Sequence, residues 1–240
     1  PWPGELRNLY NDIFIFFRFL INKSNCWQQS CIWRIYLQIL KIYNYKLSIL
    51  AITFMWCKPI EKNKLNKVLG DKVCKYYLEK KIIIEKNNYY FSRIRITPFN
   101  NQIIFSDAPP LFVKNVVFIG PDSLTFIKNL DLLIKNEKLK YNNALDICTG
   151  SGIHAFHLKN YANSIIGSDI NDRAISYANF NNKININNHK IKFIHSDLYS
   201  NISSLKLECF HLHRDFPPDN YEFRNILQPC HLTPQLYFEN

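Results

Sequence analysis

Residues 142–197 alternate short apolar runs with helix-like segments, and no other feature narrows the folds open to this chain as far. "NNALDIC" (142–148), "NSIIGSD" (163–169) and "HKIKFIHSD" (189–197) read as strands. They are short apolar runs of the kind found in parallel strands covered on both faces. Between them, "IHAFHLKNY" (153–161) and "RAISYANFNNKIN" (173–185) read as helices, the second with Ala174, Ile175, Ala178 and Asn179 along one face. The order β-α-β-α-β predicts an α/β fold with a Rossmann-like parallel sheet and right-handed crossovers.

In such sheets ligands lie beyond the carboxyl ends of the strands. Three acidic residues gather at that rim: Asp146 near the end of the first strand, Asp169 at the end of the second and Asp197 at the end of the third. The small-residue loop Thr149, Gly150, Ser151 and Gly152 follows the first strand and lets backbone approach a ligand. Gly150 and Asp169 are 169 − 150 = 19 residues apart, near the ~20 that set an acidic side chain against a ribose. A dinucleotide fingerprint needs a third small residue for close helix packing around a pyrophosphate, and Ala155 satisfies only its looser form. Asp146 would set negative charge beside a pyrophosphate, whereas a cofactor carrying an ammonium and a sulfonium is favoured by it.

"LDICTGSG", "GSDINDRAISYANFN" and "HSDLYSN" together resemble the class I S-adenosylmethionine-dependent methyltransferases. Within them they are similar to the small-domain group of glutamine-N5 and rRNA guanine methyltransferases. "FIGPDSLTF" (118–126) looks like the segment that precedes the first motif in that group and covers the cofactor. The resemblance implies that Asp146, Thr149, Gly150, Ser151 and Gly152 line the methionine part of S-adenosylmethionine. Asp169 would accept the ribose hydroxyls, Ile170 would pack on adenine, and Asp197 with Leu198 would sit by its amino group. Cys148 stands where the family often has glycine. The family's acceptor motif, N-P-P-[YF] after a fourth strand, is not matched: in "FPPDNY" (216–221) the two prolines follow Arg214, Asp215 and Phe216. Asp215 and Asn220 are the polar groups nearest in kind, and no catalytic residue is assigned. The core therefore reads as incomplete after the third strand, as a fragment, an altered reading-frame product or a divergent protein would be.

The remaining sequence divides around that half. Residues 1–60 form an apolar and basic helical segment, 61–110 a small basic helix-plus-hairpin module, 111–201 the cofactor-binding half and 202–240 a divergent tail. The break before the cofactor half falls at "DAPP" (107–110). In the module, a lysine-rich helical pattern runs from Glu61 to Glu85, followed by strand-like "KIIIEK" (81–86), "YYFSRIRITPF" (89–99) and "QIIFSD" (102–107). On a continuous strand Phe91, Arg93 and Arg95 share one face. Charge is uneven: residues 1–110 hold 17 Lys+Arg against 7 Asp+Glu, and 111–240 hold 13 against 12. That asymmetry suits an RNA or ribosome-associated substrate, or an anionic surface.

The apolar stretches 13–21 and 32–57 are interrupted by charge, and the longest clean run, Leu47 to Cys57, is shorter than the ~18 residues a span needs. No membrane span is expected; a basic amphipathic helix over 32–43 leaves surface attachment as an alternative. Seven cysteines without a C-x-x-C pair suggest reduced thiols inside a cell, in the cytoplasm or an organelle. Cys209, His211 and His213 lack the spacing of a zinc site, so no metal is expected. The activity expected is methyl transfer to a nitrogen of a protein glutamine, an RNA base or a small molecule. The alternative is an inactive relative that binds cofactor, RNA or both.

Overall fold

A computed structural model describes residues 41–42, 44–100, 102–109, 115–137, 141–185, 191–198, 200–202 and 209–212. The apolar stretch 13–21, most of 32–43, His213 and "FPPDNY" lie outside the described residues. The chain divides into two units, 1–116 and 117–240.

In the first unit the apolar run at Leu47 becomes helix α1, Tyr45–Phe54. Asn44 caps it by accepting a hydrogen bond from the Leu47 N–H, one of the donors a helix start leaves unsatisfied. Leu47, Ile49, Leu50, Ala51 and Phe54 are all buried, so α1 is a core helix. Among the described residues no helix is long and apolar enough to cross a membrane. Strand β1 (Ile60–Glu61) leads into α2 (Lys62–Leu69) and α3 (Asp71–Glu79). Strands β2 (Ile83–Lys86), β3 (Tyr89–Ser92), β4 (Ile94–Phe99) and β5 (Gln102–Asp107) follow.

The helical pattern expected over 61–85 is thus two short helices that end at Glu79. Gly70 separates them at φ 83° and ψ 151°, a region open essentially to glycine alone. Likewise the expected strand over 89–99 is broken at Arg93, and its two halves pair with different partners. β3 sits between β1 and β2, while β4 forms a hairpin with β5. Phe91 and Arg95 therefore belong to separate sheets, which removes the shared face expected for Phe91, Arg93 and Arg95. Leu65, Ile83 and Tyr90 are among the buried residues that join α1 in one core.

The second unit begins with helix α4 (Pro121–Glu137) and continues β6 (Tyr141–Ile147), α5 (Ile153–Leu158), β7 (Ala162–Asp169), α6 (Asp172–Ile184) and β8 (Ile191–His195). A further strand, β9 (Cys209–Leu212), pairs in parallel with β6. All pairings are parallel, in the order β8-β7-β6-β9. The sheet thus extends one strand further than expected, into the segment read as a divergent tail. Successive strands are added outward from β6 to β7 to β8, after which the chain returns to the other side of β6. That reversal between β6 and β9 is the place where open α/β sheets bind ligands.

Gly70→Ala would meet no neighbouring atom within 4 Å, so its cost comes from the backbone alone. A loss of about 1–3 kcal/mol is expected, measured by denaturant unfolding. A stability equal to wild type would show that the α2–α3 break does not need glycine.

Candidate functional site

The loop after β6 opens at the reversal point of the sheet. Cys148 leaves the strand at φ 57° and Gly150 follows at 55°, both left-handed. An L-residue pays roughly 1–2 kcal/mol for that conformation, which explains why glycine suits position 148. The loop is hydrogen-bonded on several sides. The Thr149 N–H donates to the Ser168 carbonyl at 2.9 Å, and the Gly152 N–H donates to the Thr149 carbonyl at 2.8 Å.

Asp169 grips the loop from the end of β7. One carboxylate oxygen accepts the Gly150 N–H and the other accepts the Asn171 N–H, each at 2.9 Å. An ionised carboxylate has about four lone-pair positions, so both oxygens retain capacity for ligand hydroxyls. A side chain at Gly150 would meet nothing within 4 Å, so this glycine faces open space.

Gly152 has a different role. A Cβ there would lie 2.9 Å from the Phe193 ring and 3.0 Å from Phe156. Gly167 is tighter still, with Phe193 at 2.5 Å and the Thr149 hydroxyl at 2.8 Å. The Phe193 ring thus occupies the space that both glycines leave, with its centroid 5.8 Å from that of Phe156. This contact was not read from the sequence, because Phe193 reaches the loop from a strand about forty residues away.

Asp146 is fully buried. It accepts hydrogen bonds from the Thr149 hydroxyl at 2.5 Å and the Ala155 N–H at 3.1 Å, and so braces the loop and the first turn of α5 from inside. Burial pushes its carboxyl up to about 7; the Thr149 and Ala155 hydrogen bonds work against the rise, and Asp169 adds to it.

Asn181 also supports the loop. It is fully buried on α6 and its side-chain amide donates to the Ser151 carbonyl at 2.9 Å. The buried stripe of α6 is Ala174, Ala178 and Asn181; the expected Asn179 is exposed. The spacing i, i+4, i+7 carried the signal, and a polar final residue concealed it.

The "FIGPDSLTF" segment enters α4 and meets α5. His154 Nε2 lies 3.2 Å from the Ser123 carbonyl, which can only accept, so that nitrogen carries the proton. The Phe126 ring sits edge-on to the same imidazole at 5.3 Å. Farther along α4, Asp131 accepts from the Tyr161 hydroxyl at 2.6 Å and lies 3.1 Å from His157 Nε2.

On the outer rim, Ile170 is 61% exposed and Leu198 is 49% exposed. Asp197 is exposed beside Leu198. The Ser196 N–H donates to the Asp169 carbonyl at 3.0 Å, while the buried Ser196 hydroxyl donates to the Leu198 carbonyl at 3.0 Å. His195 Nε2 bonds the Ile170 carbonyl at 2.8 Å. These contacts tie the ends of β7 and β8 together and leave two large apolar side chains facing water. Among the described residues no group of three or more His, Cys, Asp or Glu is placed to hold a metal.

Strand order and loop geometry define a Rossmann-like α/β fold with an open loop at the carboxyl edge of β6. Residues 141–216 match the family model of RNA cap guanine-N2 methyltransferase. The matched span lies within the second unit and agrees with the resemblance of its motifs to the class I S-adenosylmethionine-dependent methyltransferases, a group whose cofactor is S-adenosylmethionine.

Solved structures similar to the chain include the T. thermophilus 16S rRNA N2 G1207 methyltransferase in complex with AdoMet and guanosine. It is 13% identical with TM-score 0.41, and the match covers 68% of this chain and 47% of that one. The M. jannaschii tRNA m1G37 methyltransferase is 24% identical with TM-score 0.38, covering 52% and 36%. A Thiobacillus denitrificans methyltransferase in complex with S-adenosyl-L-homocysteine is 18% identical with TM-score 0.32, covering 44% and 44%. The chain thus spans from 36% to 47% of the length of these three structures.

Two predictions follow from the packing and the buried charge. Gly167→Ala is expected to destabilise by about 1–3 kcal/mol through overpacking, with much of that loss recovered in a Phe193→Ala background. A double-mutant cycle measures the coupling, and strict additivity would contradict the shared space. For Asp146 the folded state holds a proton between its ordinary 3.8 and about 7, whereas the unfolded chain releases it. This contribution to stability is present below 3.8 and is lost as pH rises through about 7. Unfolding stability compared between wild type and Asp146→Asn should therefore differ in slope over that window, with the variant flatter.

Proposed function

We propose that the chain is an S-adenosylmethionine-dependent methyltransferase that modifies a nitrogen of an RNA base, the exocyclic amine of guanine being the acceptor favoured by the family match. The observation that carries the reading is the Asp169 carboxylate bound to the Gly150 N–H. It sets an acidic acceptor beside an open glycine at the reversal point of the sheet, and the residues around it fit a nucleoside cofactor.

Asp169 would receive the ribose hydroxyls. Ile170 and Leu198, both exposed, would enclose the adenine, with Asp197 near its amino group. Thr149, Gly150, Ser151 and Gly152 would carry the backbone along the methionine part. Asp146 is assigned a positioning role beneath this loop, because its carboxyl is fully buried and one of its oxygens accepts from both Thr149 and Ala155. S-adenosylmethionine supplies the electrophilic methyl group, and the protein contributes orientation and exclusion of water. The basic residues of 1–110 favour RNA over a protein glutamine or a small molecule as the acceptor.

Transfer of tritiated methyl from S-adenosylmethionine to total RNA and to protein tests this. Wild type is expected to label RNA, with labelling lost in Asp169→Ala. Label on protein alone would overturn the RNA acceptor. Cofactor binding without any label would favour a protein that holds cofactor and does not transfer it.

A further inference from the structure

One face of the small sheet in the first unit is unlike the other. Ile60, Ile83, Tyr90 and Ser92 are buried and point into the core. Residues directly opposite across antiparallel strands share a face, and the pairs Lys86 with Tyr89 and Ile84 with Phe91 fall on the outer side. There Tyr89 is 41% exposed and Ile84 is 43% exposed, and Lys86 is exposed beside them. Single exposed apolar residues need no explanation, but these are cross-strand neighbours forming one aromatic and aliphatic strip.

The charge around the strip selects its partner. Residues 41–109 carry 13 Lys+Arg against 5 Asp+Glu. Of those five carboxylates, Glu61 bonds Lys64 and Glu85 bonds Lys62, and Asp107 is fully buried. Glu61 is opposite Tyr89 on one side, where its carboxylate is paired with Lys64, and Lys86 is opposite it on the other. An exposed aromatic ring beside a lysine is a stacking platform: every base offers a π-face, and the ammonium group meets the phosphate next to it.

We propose that the outer face of β2 and β3, centred on Tyr89, binds single-stranded RNA by base stacking, with Lys86 contacting its backbone. This deepens the RNA reading of the acceptor and rests on it; the face would hold unpaired nucleotides of the substrate.

Fluorescence anisotropy of the full chain with a labelled single-stranded oligouridylate tests the proposal. Tyr89→Ala should weaken binding by roughly five- to hundredfold, the range of one lost base stack, while Tyr89→Phe keeps the ring and stays near wild type. Lys86→Ala should lower the slope of log affinity against log salt by about one. Thermal melting confirms that each variant is folded, and titration with S-adenosylmethionine reports the second unit separately. Loss of RNA binding with intact cofactor binding supports the platform. Equal RNA affinity for wild type, Tyr89→Ala and Lys86→Ala overturns it, as does no binding by wild type. RNA binding sensitive to these variants in a chain that binds no cofactor would leave the platform standing and remove the methyltransferase reading.

Discussion

The hydrogen bond from the Gly150 N–H to the Asp169 carboxylate fixes the geometry on which the candidate site depends. It joins the loop leaving β6 to the end of β7, and a charged acceptor makes such a bond stronger than a neutral one. The bond exists only because β6 and β7 pair in one register, with Asp146 opposite Gly167 and Ile147 opposite Ser168. A slip of one residue would turn the β7 side chains to the opposite face and take the Asp169 carboxylate away from the loop. Asp146 acts on the same loop from the interior. The two acidic side chains therefore have separate positions, one on the open side of the loop and one bracing the backbone from within.

Close packing beneath the loop explains the other glycines. Phe193 fills the space over Gly152 and Gly167, so these two are demanded by the core, and Gly150 is the one that leaves room outside. Asn181 holds the Ser151 carbonyl from α6. His154 fastens α5 to the start of α4 through Ser123. The site is thus built on elements that pack with one another, which keeps the loop from having to order itself when a ligand arrives.

Much of the second unit was legible in the sequence because its parallel strands appear as short apolar runs, although β8 is buried on one face only. The segments at 142–148, 163–169 and 189–197 all contain strands, and Asp169 stands at a strand end as expected. Asp146 was legible as a position and not as an environment: its burial follows from Thr149 and Ala155 folding back over it. β9 escaped notice because "CFHL" is four residues long and becomes a strand by pairing with β6. In the first unit, periodicity carried the helical pattern past Glu79 and joined β3 to β4 across Arg93. Hydrophobic spacing does not register a change of pairing partner. The role of Asn181 was hidden because its hydrogen bond spans thirty residues.

The central claim is that this site takes a nucleoside cofactor with a positive charge, held through Asp169. Calorimetric titration of the full chain with S-adenosylmethionine, beside NAD and beside the Asp169→Ala variant, tests it most directly. The account predicts saturable binding of S-adenosylmethionine by wild type, none or far weaker binding of NAD, and a large loss of affinity in Asp169→Ala. Tighter binding of NAD, or an affinity for S-adenosylmethionine unchanged by Asp169→Ala, would contradict it.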